Sequence, residues 1–308
     1  MRLIFMGTPA FAAACLDAVL KTEHQVIGVY TKPDTPKNRG MKLIPSEVKV
    51  LAQAHGLPVF QPSTFRDDEA VETLKALAPD LIVVVAYGKI LPQRVLDIPP
   101  LGCINIHGSV LPALRGSAPV QWAVLNDLPE TGVTAMYLSA GMDEGDIIDI
   151  RTTPIGELET AGELMDRLAI LGADLLRDTL GAIAAGTASR RPQDSALATY
   201  APMLTKELSP IDWSRPAKEI LARIRGLNPW PVAMASLGGT EFKIWEARLF
   251  DSAAAAAPGT PVALNKQGLV VACGNGAILI TKLQAPGGKA MAAPDYFRGH
   301  PIQTKNEI

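Results

Sequence analysis

Short apolar runs alternate with helix-like patterns through the first half of the chain, and this alternation constrains the fold more than any other feature. Runs of four to six residues with few polar interruptions are typical of strands that are buried on both faces of a sheet. Strands that alternate with helices at this spacing form βαβ units, which predicts a parallel α/β sheet. The predicted strands cover residues 2–6, 25–30, 81–86 and 103–107, with helices over 11–20, 46–54 and 68–77 and later elements at 118–125, 131–138, 147–152 and 161–184.

The alternation stops at residues 186–203, where small, polar and proline residues predict a linker. A helical pattern over 217–226 follows, and after it come short strands separated by glycine-containing turns. Several short strands of this kind favour a small β-barrel, for which the five-stranded oligonucleotide-binding (OB) type is a reasonable candidate. We therefore expect a first domain over 1–185, a linker over 186–203 and a C-terminal OB-like barrel domain over 204–308.

Charge is distributed unevenly between these parts. Residues 1–203 hold 17 basic and 23 acidic residues, whereas 204–308 hold 12 and 8. A positive C-terminal part favours a polyanionic partner, although a difference of this size also arises by chance between domains.

Cysteine and histidine usage gives no metal pattern. The three cysteines are widely spaced and form no CxxC pair, and the four histidines show no ligand spacing. Cysteines used in this way fit a reducing compartment, and no apolar run reaches the length needed to cross a membrane. We expect a cytoplasmic protein without a leader, a metal or a membrane partner.

Two polar side chains, Asn105 and His107, interrupt the apolar strand at 103–107. Side chains two residues apart on a strand share a face, so the amide and the imidazole point the same way. They could form a satisfied buried network, or a site at the carboxyl end of the strand, where open α/β sheets bind ligands. Their position at the end of the strand, directly before Gly108, favours a site. There an amide can donate to a developing oxyanion, and an imidazole can move a proton near neutral pH.

A carboxylate partner for this imidazole is offered by the loop at residues 139–146. Two glycines, Gly141 and Gly145, bracket Asp143, and Asp146 follows. Either acid could serve the site, and either could equally be an ordinary turn residue. The residues by themselves do not choose between Asp143 and Asp146.

Several of these motifs occur together in one known family. The chain has Asn105-x-His107 followed by Gly-Ser-Val-Leu-Pro, and Asp143 comes thirty-six residues after His107. In this combination it resembles the folate-dependent formyltransferases, in particular the members that act on initiator methionyl-tRNA. Further matching segments are Gly7-Thr8-Pro9, Lys32-Pro33-Asp34, Val84–Gly88, Arg115-Gly116, Glu130–Thr134 and Asn228–Pro231.

The resemblance implies a Rossmann-like formyl-transfer domain, a linker, and a C-terminal barrel that helps to bind tRNA. It implies 10-formyltetrahydrofolate as the donor, the α-amine of methionine on initiator tRNA as the acceptor, and no metal. Its catalytic residues would be Asn105, His107 and Asp143, with Asp146 as a supporting acid. The folate pocket would include Ser109, Val110, Leu111 and Pro112. The family commonly has leucine where Val110 stands, so the pocket wall is expected to differ slightly in shape.

Residues 31–49 form a long, polar, proline-containing connection, and connections of this length are uncommon in compact domains. The segment holds five basic and two acidic residues, which is also typical of a plain surface loop. The resemblance instead implies a loop that inserts at the acceptor end of the tRNA, with Lys37, Arg39 and Lys42 as contacts. We expect the protein to be a monomer.

Two other activities are alternatives for a chain with these motifs. A folate-dependent formyltransferase of a small amine, such as a purine-pathway ribonucleotide or an amino sugar, would share the same three catalytic residues. An NAD-dependent oxidoreductase on a Rossmann sheet is disfavoured, because Gly7-Thr8-Pro9 lacks the glycines of a dinucleotide-binding loop. A binding module without catalytic activity would leave Asn105, His107 and Asp143 without a use.

Overall fold

A seven-stranded sheet forms the centre of the first half of the chain. The protein is represented by a computed structural model that describes residues 1–37, 42–250 and 256–305. These residues divide into two units. Unit 1 comprises Met1–Pro119, Thr131–Thr153 and Met165–Ala201, and unit 2 comprises the described residues of Val120–Glu130, Pro154–Leu164 and Pro202–Ile308.

The elements up to the long helix follow the predicted alternation. They are β1 (Arg2–Gly7), α1 (Ala10–Leu20), β2 (Gln25–Tyr30), β3 (Thr35–Lys37), β4 (Lys42–Ile44), α2 (Glu47–Ala54), β5 (Val59–Phe60), α3 (Asp68–Ala76), β6 (Leu81–Val85), α4 (Gln93–Leu96), β7 (Cys103–His107), β8 (Arg115–Gly116), α5 (Pro119–Leu125), β9 (Glu130–Tyr137), β10 (Ile147–Pro154) and α6 (Ala161–Ala184).

The central sheet is mixed, with the strand order β10-β9-β7-β6-β1-β2-β5. The five strands from β7 to β5 pair in parallel, as the alternation predicts. The expectation of a wholly parallel sheet is wrong at one edge, because β9 pairs antiparallel to β7. The connection between β7 and β9 contains α5, which in the sequence is indistinguishable from the helix of a parallel crossover, so the pattern gives no sign that β9 returns antiparallel. The strand order reverses at β1, which places a crevice outside the carboxyl ends of β1, β6 and β7.

The long connection at residues 31–49 contains structure of its own. Strands β3 and β4 pair antiparallel, and Lys37 is the register partner of Lys42. Arg39, between them in sequence, lies outside the described residues. Helix α2 then begins behind Ser46, as predicted, and the Ser46 hydroxyl accepts a hydrogen bond from the Lys49 amide at 3.1 Å.

Residues 186–203, the predicted linker, hold a short 3-10 helix (Ser195–Leu197) and strand β11 (Tyr200–Ala201). Strand β11 pairs in parallel with β8, and the backbone of Arg191 forms a bridge with Ile147. This segment is therefore hydrogen-bonded to unit 1 along most of its length.

The C-terminal part forms an antiparallel sheet of six strands. Helix α7 (Ala217–Gly226) has the bounds that its helical pattern predicts. The strands run in the order β12-β13-β16-β15-β14, and β17 pairs with β16. The elements after α7 are β12 (Ala233–Leu237), β13 (Thr240–Phe250), β14 (Pro261–Leu264), β15 (Leu269–Ala272), β16 (Ala277–Gln284), β17 (Met291–Ala292) and α8 (Ala293–Gly299), and a 3-10 helix at Lys206–Leu208 precedes α7.

A buried arginine joins the separate segments of unit 2. Arg225 is 6 % exposed, and its Nη2 lies 2.8 Å from the Asp127 carboxylate. Its Nη1 donates to the carbonyl oxygens of Gly156 and Glu159 at 3.3 and 3.4 Å. A buried cation needs such partners, and they explain why 120–130 and 154–164 belong to this unit although they come early in the chain.

We predict that Ser46→Ala lowers the free energy of unfolding by about 1–2 kcal/mol. The substitution removes the cap of α2 and also the partner of the buried Thr31 hydroxyl, which lies 2.6 Å from the Ser46 oxygen. Urea unfolding measures the effect. Thr64→Ala is the control, because the Thr64 hydroxyl also accepts a backbone N–H, from Arg66, but at an exposed site. Equal losses in the two variants would contradict the contribution assigned to the buried hydroxyl pair.

Candidate functional site

Asn105 and His107 lie at the carboxyl end of β7, which is paired with β6 on one side and β9 on the other. Their side chains are 9 % and 6 % exposed, whereas Ile104 and Ile106 on the opposite face are 0 % and 2 % exposed. The alternation along the strand therefore places the amide and the imidazole on the same face of the sheet, and their position at the end of β7 places them beside the crevice.

The imidazole of His107 lies between two oxygen atoms. Its Nε2 is 3.0 Å from the carbonyl oxygen of Leu114, and because a carbonyl only accepts, Nε2 carries the hydrogen of this bond. Its Nδ1 is 3.7 Å from Oδ2 of Asp143. The ring can therefore take up a second proton at Nδ1 beside a carboxylate.

The structure separates the two acids that the sequence left open. Asp143 faces His107 and is 17 % exposed, whereas Asp146 is 37 % exposed and lies 3.9 Å from the guanidinium of Arg190. Asp143 is therefore the acid that lies beside the imidazole.

Asp143 is held in place at its side chain and at its backbone. Oδ2 accepts a hydrogen bond of 2.8 Å from the Gly116 amide. The backbone carbonyl oxygen of Asp143 accepts a hydrogen bond of 2.9 Å from Nε2 of Gln193. Asp143 has a φ of +52°, in the left-handed region that few residues other than glycine adopt. Close by, a Cβ at Gly145 would overlap the carbonyl oxygen of Tyr137, so this turn requires glycine.

The loop after His107 is closed by a buried threonine. Thr134 donates through its hydroxyl to the Ser109 carbonyl at 2.6 Å and accepts from the Leu111 amide at 3.1 Å. Ser109 and Leu111 are buried, whereas Val110 and Pro112 keep part of their surface exposed. Of the four residues expected at the folate pocket, Val110 and Pro112 are therefore the two that a ligand could reach without rearrangement.

The Asn105 amide is almost buried, yet no hydrogen bond from another described residue reaches it. In the described part of the chain this amide is therefore available to donate to an oxygen atom of a ligand at this end of the crevice. A carbonyl group of a substrate fits this donor and the neighbouring imidazole.

Sequence reasoning missed two contributors to the site, Gln193 and Thr134. Gln193 lies in a segment that composition identified only as a linker. Thr134 is the register partner of His107 on β9, and a single threonine on a buried strand gives no distinguishing signal.

The cysteines are not candidate nucleophiles. Burial raises the pKa of the Cys103 thiol to about 12 and that of Cys15 to about 12, so both stay protonated near neutral pH. Within the described ranges, no group of three or more His, Cys, Asp or Glu residues could hold a metal ion.

None of the described helices combines the length and the apolar character that crossing a membrane requires.

Comparison with known proteins identifies the family of the chain. Residues 1–180 match the model of the formyl transferase family, and residues 203–301 match the formyl transferase C-terminal domain. The methionyl-tRNA formyltransferase of Pseudomonas putida (strain W619) is 51 % identical over 297 residues, which cover 96 % of this chain and 95 % of that protein. The methionyl-tRNA formyltransferase of Moorella thermoacetica is 49 % identical over 302 residues, covering 98 % and 97 %.

Solved structures share the fold at low sequence identity. HypX from Aquifex aeolicus, in complex with tetrahydrofolic acid, matches with a TM-score of 0.66 at 18 % identity over 100 % of this chain. The chain spans about half the length of HypX, 49 %. An N-formyltransferase from Helicobacter canadensis, in complex with folinic acid and dTDP-3-aminofucose, gives 0.68 at 21 % identity over 90 % of this chain and 98 % of that one. With both family models matched and relatives about half identical over nearly their whole length, the chain belongs to the methionyl-tRNA formyltransferase family of formyl transferases.

Proposed function

We propose that the protein transfers the formyl group of 10-formyltetrahydrofolate to the α-amine of methionine on initiator methionyl-tRNA, and so prepares that tRNA for translation initiation. The observation that carries this proposal is the convergence of the Asn105 amide, the His107 imidazole and the Asp143 carboxylate at the carboxyl end of β7. Family membership removes the alternative of an NAD-dependent oxidoreductase.

Asn105 would stabilise the negative charge that develops on the formyl oxygen when the amine attacks. The amide is fixed on a central strand and forms no competing hydrogen bond with the residues that the structure describes, so it costs little reorganisation to donate to that oxygen. Removal of one such donor typically costs about 10²- to 10³-fold in rate.

His107 would move the proton that the amine loses to the folate nitrogen that departs. Because Nε2 is engaged by the Leu114 carbonyl, Nδ1 is the nitrogen available for this transfer. The Asp143 carboxylate, 3.7 Å from Nδ1, would stabilise the imidazolium while it carries the proton. No covalent intermediate with the enzyme is needed.

Val110 and Pro112 would form the wall of the folate pocket, while Ser109 and Leu111 hold the loop in shape from the buried side. The loop is fixed to β9 through Thr134 and begins directly after His107, so a folate bound against it would lie beside the catalytic residues.

The C-terminal domain, proposed as residues 204–308 after a linker at 186–203, would help to bind the tRNA, while the domain at 1–185 transfers the formyl group. Lys206, Lys243 and Lys289 are exposed and are suited to contact phosphates. We further propose that Lys37, Arg39 and Lys42 contact the acceptor end, since Lys37 and Lys42 are register partners on β3 and β4. A cytoplasmic monomer is consistent with such a role.

An assay with two acceptors tests the function. Purified protein and 10-formyltetrahydrofolate are incubated with charged initiator methionyl-tRNA, or in parallel with free methionine or an amino sugar. We expect formylation of the tRNA-bound methionine and none of the small amines. Preferential formylation of a small amine would overturn the proposed acceptor while leaving the formyl-transfer chemistry intact.

We predict that Asp143→Asn lowers kcat by about 10²- to 10⁴-fold, because the imidazolium of His107 then lacks its carboxylate. The matched control is Asp146→Asn in the same loop. Asp146 is more exposed and interacts only loosely with Arg190, so kcat should stay within about threefold of the original value. If Asp146→Asn were the more damaging change, the assignment of Asp143 as the acid would be wrong.

We predict that Arg39→Ala lowers kcat/KM for charged tRNA by about tenfold, the typical value of a charge-assisted contact, without changing folate binding. Arg39→Lys should restore part of the loss, because lysine keeps the charge but not the planar guanidinium. Raising the salt concentration should narrow the gap between wild type and Arg39→Ala, since screening weakens the contact that the variant lacks.

Arg66→Ala is the control for this loop, because Arg66 is an exposed arginine outside residues 31–49. It should leave tRNA kinetics unchanged. If Arg39→Ala had the same kcat/KM for charged tRNA as wild type, residues 31–49 would be a surface connection without a role in tRNA binding.

A further inference from the structure

Residues 189–193 run beside the start of β10 and the loop before it, and alternate residues contact these two parts. The Ser189 hydroxyl donates to the Ile148 carbonyl at 2.6 Å. The backbone of Arg191 exchanges two hydrogen bonds with Ile147, of 2.8 and 3.0 Å. Gln193 reaches Asp143 itself. The segment thus extends from an isolated β-bridge between Arg191 and Ile147 to the loop that carries Asp143.

The side chain of Gln193 connects two parts of the site. Its Nε2 donates to the carbonyl oxygens of Asp143 and Gly145 at 2.9 and 2.8 Å. Its Oε1 accepts from Nε and Nη2 of Arg115 at 3.1 and 2.8 Å. Carbonyls only accept and guanidinium groups only donate, so this arrangement fixes which way the amide faces.

Arg115 makes this connection rigid, since its side chain is only 3 % exposed. The next residue, Gly116, donates its amide to Oδ2 of Asp143 at 2.8 Å. The 115–116 segment therefore holds Asp143 twice, directly at the carboxylate and through Gln193 at the backbone.

Asp143 needs such support because its backbone adopts a left-handed conformation at φ +52°. Aspartate tolerates this region better than most residues with a Cβ, but the conformation is less favourable than extended or right-handed backbone, so the hydrogen bonds to this loop help to hold it. Other conformations would move the carboxylate away from the His107 ring.

We propose that Gln193 is a positioning residue for the formyl transfer, which holds Asp143 at its working distance from His107. It acts through Asp143 and contacts no reacting atom. This inference rests on the proposed function.

Two substitutions separate the two sides of the Gln193 amide. Gln193→Ala removes all four hydrogen bonds. Gln193→Glu keeps an acceptor for Arg115, and indeed pairs it with a charge, but places a second oxygen against the carbonyls of Asp143 and Gly145. If the hydrogen bonds from Gln193 to the Asp143 loop determine the rate, both variants have a lower kcat. Gln193→Glu nevertheless keeps the buried arginine paired and the fold stable.

The experiment measures kcat, KM for both substrates and the thermal midpoint in six proteins: wild type, Gln193→Ala, Gln193→Glu, Asp143→Asn, the double variant Gln193→Ala/Asp143→Asn, and Ser189→Ala. We expect kcat to fall by about 10- to 100-fold in both Gln193 variants, as misplacement of a catalytic group does, with both KM values unchanged. Ser189→Ala removes a bond of the same segment at a distance from Asp143 and should keep wild-type kcat.

The double variant separates positioning from general stability. If Gln193 acts through Asp143, Gln193→Ala causes no further loss of kcat once Asp143 is asparagine. The same fold-loss in both backgrounds, a rise in KM without a fall in kcat, or an equal loss in Ser189→Ala would overturn the inference. Wild type that transfers no formyl group, or Asp143→Asn with wild-type kcat, would instead overturn the proposed function or its acid, and the inference with it.

Discussion

A buried imidazole must have a polar partner at each nitrogen that carries a proton, and the active edge of the sheet is organised around this requirement at His107. The two partners come from different places. Leu114 presents its carbonyl from the connection that follows β7, and Asp143 presents its carboxylate from the connection between β9 and β10. Because β9 pairs antiparallel to β7, the end of β9 lies beside the start of β7, and the loop after it must extend back toward the carboxyl end of β7 to bring Asp143 beside His107.

The residues around His107 are positioned by a series of hydrogen bonds rather than by apolar packing. Asp143 must hold an unfavourable backbone conformation, and the groups that hold it, Gly116 and Gln193, are far from it in sequence. Gln193 in turn is oriented by the buried guanidinium of Arg115. A segment whose composition is that of a linker is thereby made part of the site, and this explains why residues 186–201 are hydrogen-bonded to unit 1.

The sequence predicted those parts of the molecule that depend on local periodicity. Alternating apolar runs gave the parallel strands, Ser46 gave the start of α2, and the polar pair in an apolar strand gave Asn105 and His107. The residues by themselves could not choose between Asp143 and Asp146, because that choice depends on which acid the loop turns toward the imidazole, and only the family resemblance favoured Asp143. Nothing in the sequence indicated Gln193 either, since a glutamine becomes informative only when its donors and acceptors have known partners.

Charge composition shows a related limit in the C-terminal part, where twelve basic residues suggested a polyanion-binding domain. Arg225 is buried against Asp127, and Arg223 donates to the Leu208 carbonyl, so both serve the fold of unit 2. Lys282 is paired with Glu246 across neighbouring strands. The field that attracts a nucleic acid is set mainly by unpaired charges exposed to solvent, and Lys206, Lys243 and Lys289 are exposed, whereas a cation paired with a carboxylate contributes little to it. The number of basic residues in the sequence therefore overstates how many cations are free at the surface, and the proposed contact with tRNA would depend on the placement of these exposed lysines more than on that number.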